Sequence, residues 1–150
     1  MQRAWLAILV LAGVVQCGAE DRDLPPGWEG AQSLPVDRSD CTGDDLGMPE
    51  KLMLMRDMGR LRATYEHGVF RCSQRVCAYR IDDGASGARV LVQPCDMDPS
   101  MVGKCVCPMN VGFDIPGVEP GRMIELVRRG DRYGATSEPQ PELVARMRAP

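Results

Sequence analysis

Cys95-Asp96-Met97-Asp98-Pro99-Ser100-Met101-Val102-Gly103-Lys104-Cys105-Val106-Cys107-Pro108-Met109 holds three cysteines and three methionines in fifteen residues. Sulfur at that density supports three kinds of chemistry. The first is covalent cross-linking. In a strand, Cys105 and Cys107 share one face about 6.6 Å apart, so each reaches a different neighbouring segment more easily than it reaches the other. With Cys41, Cys72, Cys77 and Cys95 they form an even set, which favours disulfides but whose pairing the spacing does not choose. The second is soft-metal binding. Thiolate and thioether sulfur suit Cu(I), and Cys105, Cys107, Met97, Met101 and Met109 make a candidate ligand set, with Met53, Met55 and Met58 as a second methionine group. Methionine is equally a filler of irregular cores, and His67, the one histidine, brings no companion motif. The third is thiol–disulfide exchange through Cys105-x-Cys107, one thiolate attacking a substrate disulfide. Lys104 stands beside it, but Pro108 and the strand-like residues beyond argue against a helix there, and no βαβ pattern precedes it. Of the three, disulfides are the expectation.

Other catalytic parts are sparse. The chain has no Gly-x-Ser-x-Gly elbow, no phosphate-cradling glycine loop and no zinc-ligand spacing. Asp44-Asp45, Asp82-Asp83 and Asp96 with Asp98 fall in turns, where Asp is favoured for bonding its own backbone. Asp96-x-Asp98 is the best calcium candidate, though it lacks the Gly and distal Glu of an EF-hand loop. Arg129-Gly130-Asp131 spells a tripeptide known from integrin ligands and reads as a plain turn. No cofactor is expected, and the chain is expected not to be an enzyme. Its net charge is −3 with no clustered positive stripe, which speaks against a nucleic-acid partner.

The N-terminus gives the compartment. Arg3 precedes an unbroken apolar run from Ala4 to Val15, and Gly18-Ala19-Glu20-Asp21-Arg22-Asp23 then turns abruptly polar. Twelve apolar residues fall well short of the roughly twenty needed to cross a bilayer, so the run reads as a secretory leader. Val14-Val15-Gln16-Cys17 resembles the processing site of bacterial secretory lipoproteins. That resemblance covers only the leader, and it implies a diacylglyceryl group on Cys17 and anchorage to a membrane surface, with the acyl chains contributing about 0.8 kcal/mol per buried methylene. Cleavage after Ala19 is the alternative. Either leaves an extracytoplasmic chain in an oxidising compartment, lipid-anchored or else secreted or periplasmic, where the six remaining cysteines are expected to pair.

The elements that must position those sulfurs follow from periodicity. Residues 1–17 are the leader, 18–40 a disordered tether rich in Asp, Pro and Gly, 41–134 a disulfide-rich domain, and 135–150 a mobile tail ending in a helical turn or two at Glu142 to Arg148. Trp28, in the tether, is expected to dock on the domain. From Pro49 to His67, Leu54, Met58, Leu61 and Tyr65 recur at helical spacing, whereas Arg60-Leu61-Arg62-Ala63-Thr64-Tyr65 alternates as a strand would, with Gly59 able to divide the two. The helix is preferred. Val69 to Cys72 and Val76 to Ile81 predict a hairpin joined by Ser73-Gln74-Arg75, and Arg89 to Gln93 a third strand. Asn110 to Ile115 and Met123 to Val127 predict a further pair. The expected fold is mostly β, or α+β: a small disulfide-stabilised antiparallel sheet with one covering helix or helical segment. Its expected role is a non-catalytic binding or structural module for a protein or other ligand of the bacterial envelope. A Cu-binding protein and a thiol–disulfide oxidoreductase are the alternatives.

Overall fold

A computed structural model describes residues 23–41, 47–84, 87–97 and 105–150. The leader with Cys17, the Asp44-Asp45 pair, Asp98, Met101 and Lys104 lie outside the described residues.

The fold is mostly β, built from two sheets that face each other. β1 (Gln32–Leu34), β5 (Val76–Asp82), β6 (Gly87–Pro94), β8 (Met123–Arg128) and β9 (Glu142–Arg148) form one sheet in the order β1-β5-β6-β8-β9. β2 (Val36–Arg38), β7 (Val106–Ile115), β4 (Arg60–Arg71) and β3 (Lys51–Asp57) form the other, in the order β2-β7-β4-β3. All pairings are antiparallel except that of β6 with β8. Alternate positions fill the space between the sheets: Leu61, Ala63 and Tyr65 from β4 and Met109, Val111, Phe113 and Ile115 from β7 meet Ala78, Val90, Val92, Ile124 and Leu126 of the opposite sheet. This period-two alternation is what a sheet with one buried face requires.

The expected covering helix is absent. Pro49 to His67 instead spans β3 and most of β4, a hairpin whose two-residue turn is Met58-Gly59. Both turn residues have positive φ, 45° and 78°, the twist that suits a tight hairpin. The helical spacing misled because a separation of four residues also keeps side chains on one face of a strand. Leu61 and Tyr65 are both buried in the core, while Met58 is 95% exposed at the turn.

Both hairpins expected further along the chain are also replaced. Strands form at the expected places, but β4 and β5 belong to different sheets, so residues 72–75 cross from one sheet to the other. Residues 116–122 likewise carry the chain from β7 to β8, which lies parallel to β6. Alternation specifies a strand and its buried face but leaves its neighbour open.

Two segments read as loose are ordered. Residues 32–38 of the expected tether are β1 and β2, one extended stretch that pairs with β5 and then, past Pro35, with β7. Proline lacks the N–H a ladder needs, so it fits the step between sheets. Trp28 is 2% exposed and docks on the outer face of the five-stranded sheet against Tyr79, Leu91 and Val127. That contact buries β6 on both faces, which explains its unbroken Val90-Leu91-Val92 run. In the expected tail, Glu142 to Arg148 is strand β9 rather than a helical turn, and Ala149 beyond it is buried. Its backbone bonds Arg122 and Gly121, closing the end of the chain onto the loop before β8.

Candidate functional site

All six described cysteines gather at one end of the sandwich. β7 is an interior strand with β2 on one side and β4 on the other, and its Cys105-x-Cys107 pair sends one bond each way. Cys107 is bonded to Cys41, just beyond β2, and Cys105 to Cys72, just beyond β4. Two residues apart on one strand face, they cannot easily reach each other, and each finds the neighbour on its own side. The third bond, Cys77–Cys95, ties the start of β5 to the residue after β6.

The first two bonds lie side by side. Cys41 Sγ is 4.0 Å from Cys72 Sγ, and the sulfurs of Cys41, Cys72 and Cys107 all fall within 4.8 Å of one another. Cys105 joins them through its bond to Cys72. Cys107 is buried, Cys72 half-buried, and Cys41 and Cys105 exposed, so the cluster opens to solvent on one side. Among the described residues this is the group of thiol, imidazole and carboxylate ligands whose atoms come close enough to share a metal ion.

The methionines of the Cu(I) set do not complete it. Met109 points into the core, where its Sδ accepts a hydrogen bond from Arg38 Nη1 at 3.6 Å, and a guanidinium in that position opposes a second cation. Met97 is fully buried, with its carbonyl accepting from the Arg132 N–H. Met53 and Met55 alternate on the solvent face of β3. Sequence reasoning missed Cys41 and Cys72 as companions of Cys105 and Cys107, since nothing in a spacing of 31 or 66 residues signals proximity.

Next to the sulfur end, Arg71 and Arg129 are committed to internal pairs. Arg71, the last residue of β4, donates through Nε to Asp131 Oδ2 at 2.7 Å, with both side chains about nine-tenths buried. Its guanidinium also lies 3.8 Å from the centre of the Tyr133 ring, and Gln74 Nε2 donates to the same carboxylate. Arg129 is 2% exposed and donates to the Asp23 and Pro139 carbonyls, to Gln93 and to Glu138. The Arg129-Gly130-Asp131 tripeptide therefore has both of its charges turned inward. Desolvation pulls the Arg129 pKa down, while hydrogen bonding to Arg132, with the charges of Arg132 and Arg129, holds the Glu138 carboxyl below its ordinary range.

Other titratable groups are equally structural. Asp82 pairs with Arg80. His67 sits at positive φ in the irregular stretch of β4 between Tyr65 and Gly68, with Nδ1 3.1 Å from the Pro49 carbonyl. Tyr65 has a buried hydroxyl without a hydrogen bond of normal geometry, and burial first, then the nearby Glu50 charge, pushes its pKa far above the usual phenol value. It stays protonated near neutrality.

At the opposite end, where β4 begins and β7 ends, the sheets part around a cavity of about 360 Å³. Leu34, Pro35, Leu61 and Ile115 make its apolar wall, with Arg60 and Asp114 beside them. No family model matches this chain, and comparison with curated proteins and with solved structures finds no significant match either.

Proposed function

We propose that this is an exported protein, held at a bacterial membrane surface by lipid on Cys17, whose β-sandwich serves as a non-catalytic binding or structural module of the envelope. The observation that carries the reading is the pairing of all six described cysteines in three disulfides, a state compatible with an oxidising, extracytoplasmic compartment. The N-terminal run from Arg3 to Cys17 supplies the matching address. The non-catalytic part draws on how the charged groups are used: Arg71 with Asp131, and Arg129 with Glu138, pair with each other and hold segments together. A partner or envelope ligand would be taken in the cavity between β1, β4 and β7, away from the disulfides, where apolar walls and a few polar groups meet.

Intact-mass measurement of the protein purified from its native host tests this directly. The expected product starts at Cys17, carries acyl mass and is six hydrogens lighter than the all-thiol chain. A chain beginning at Met1 with reactive thiols overturns the reading. Cys17→Ser separates anchor from export: the variant is expected to leave the membrane fraction while keeping its disulfides, and unchanged membrane partitioning would refute the lipid.

A further inference from the structure

We propose that Cys41, Cys72, Cys105 and Cys107 form a redox-gated metal site, in which opening their two disulfides yields a tetrathiolate that binds one Zn²⁺. The claim goes beyond the anchored-module reading and does not depend on what happens at Cys17. Its basis is geometric. A tetrahedral Zn²⁺ with sulfur at about 2.3 Å sets its ligands about 3.8 Å apart. Cys41 and Cys72, which are not bonded to each other, already place their sulfurs 4.0 Å apart, and Cys107 lies within 4.8 Å of both. Once its bond to Cys72 opens, Cys105 supplies the fourth corner from the same end of the sheet.

Backbone pairing approaches these positions from both sides of β7. The Cys72 N–H donates to the Cys105 carbonyl, continuing the β4–β7 ladder past its last pair. On the other side, the Ser39 N–H donates to the Asn110 carbonyl and the Asn110 N–H to Ser39 Oγ, which continues the β2–β7 pairing toward Cys41. Cys41 and Cys72 are thus brought up on the two sides of β7, an arrangement that suits a four-coordinate ion. Four thiolates in a tetrahedron favour Zn²⁺ over the lower-coordinate thioether chemistry first suggested by the methionines. Met97 and Met109 have no part in this ligand set.

The redox balance is simple. Two equivalents of a dithiol reductant open Cys41–Cys107 and Cys72–Cys105, becoming two cyclic disulfides themselves. The four protein thiols then bind Zn²⁺ and release four protons, leaving a centre of charge −2. Arg38 of β2 donates to Met109, which lies two residues along β7 from Cys107, and so places a positive charge on the side of that excess. Reoxidation by a disulfide-bearing oxidant reverses the process and expels the ion.

The test uses the mature chain with Co²⁺ as a spectroscopic stand-in for Zn²⁺. The oxidised protein is expected to bind none. After anaerobic reduction by dithiothreitol, one Co²⁺ per chain is expected to give the visible bands of a tetrahedral site and an intense thiolate-to-metal charge-transfer band, both erased by one equivalent of Zn²⁺. A Cys77→Ser/Cys95→Ser protein should keep the spectrum, and Cys41→Ser should lose its four-sulfur character. Should Cys41→Ser fail to fold, X-ray absorption on the reduced, zinc-loaded parent still counts its ligands, with four sulfurs at about 2.3 Å expected. Fewer than four sulfurs, no stoichiometric binding after reduction, or a spectrum lost with Cys77 and Cys95 but kept without Cys41 would overturn the proposal.

Discussion

Arg129 ties the start of the described chain, at Asp23, to the segment that leads into β9. From just beyond β8 it reaches the Asp23 carbonyl on one side and Glu138 with the Pro139 carbonyl on the other, while nearly excluded from water. A guanidinium suits this place because its planar fork serves several acceptors at once. Arg129→Met removes the donors and strands buried acceptors, so urea unfolding is expected to register a loss of about 2–3 kcal/mol, moderated because Glu138 is 43% exposed. Arg132→Met, at a more open position, should cost less than about 1 kcal/mol. Glu138 also carries a pH dependence. Its folded pKa is depressed by the Arg132 hydrogen bond and by the charges of Arg132 and Arg129, so its contribution is present above the unfolded value of about 4.3 and fades as pH falls through the lower folded value. Melting temperatures measured from pH 6 down to about 2 should therefore decline less steeply in Glu138→Gln than in the parent.

At the scale of the element, the parallel β6–β8 contact depends on close backbone approach at its first pair, Gly87 with Met123. A Cβ at Gly87 would lie 1.8 Å from the Met123 carbonyl oxygen, and the residue's φ of 147° is one that side chains rarely adopt. Backbone cannot yield there as a side chain can. Gly112 on β7 offers the contrast: its Cβ would meet only the Nη2 end of Arg62, at 2.5 Å. That guanidinium lies across the strand between Asp37 and Asp114 and can swing away, forfeiting two exposed ion pairs. Gly87→Ala is thus expected to cost at least about 2 kcal/mol and Gly112→Ala under about 1 kcal/mol, read from chemical denaturation midpoints. Comparable losses for the two would refute the distinction between backbone and side-chain clash.

For the whole molecule, the disulfides connect strands that the ladder alone joins only at a distance in sequence. Cys41–Cys107, Cys72–Cys105 and Cys77–Cys95 close separations of 66, 33 and 18 residues. If loop closure in the unfolded chain dominates, their contributions are about 4.4, 3.7 and 3.2 kcal/mol at 25 °C. Paired Cys→Ser replacements should then fall in stability in that order, Cys41/Cys107 losing most. An inverted order would assign the stabilisation to local packing instead. The loops overlap, so removing two bonds together is not expected to give the sum of the single losses.

Several features were legible in the residues themselves. The alternation of Val111, Phe113 and Ile115 marks a strand with one buried face, because a pleated backbone turns every second side chain the same way. The Gly- and Pro-rich stretch at 116–121 locates a turn, and Cys105-x-Cys107 on a strand requires divergent bonds. Partner choice was not legible. Whether β4 pairs with β5 or crosses to the other sheet depends on which strand edges meet after collapse, and local alternation is identical in both cases. For the same reason the segments 32–38 and 142–148 look like loose ends until edges exist for them to join. Proximity of the sulfurs is a tertiary outcome as well: positions 41, 72 and 107 become neighbours, with 105 bonded to 72, only because β7 lies between β2 and β4. Side-chain periodicity is a local property of the backbone and can be read from the chain, whereas adjacency between strands is a global solution to burying two faces at once.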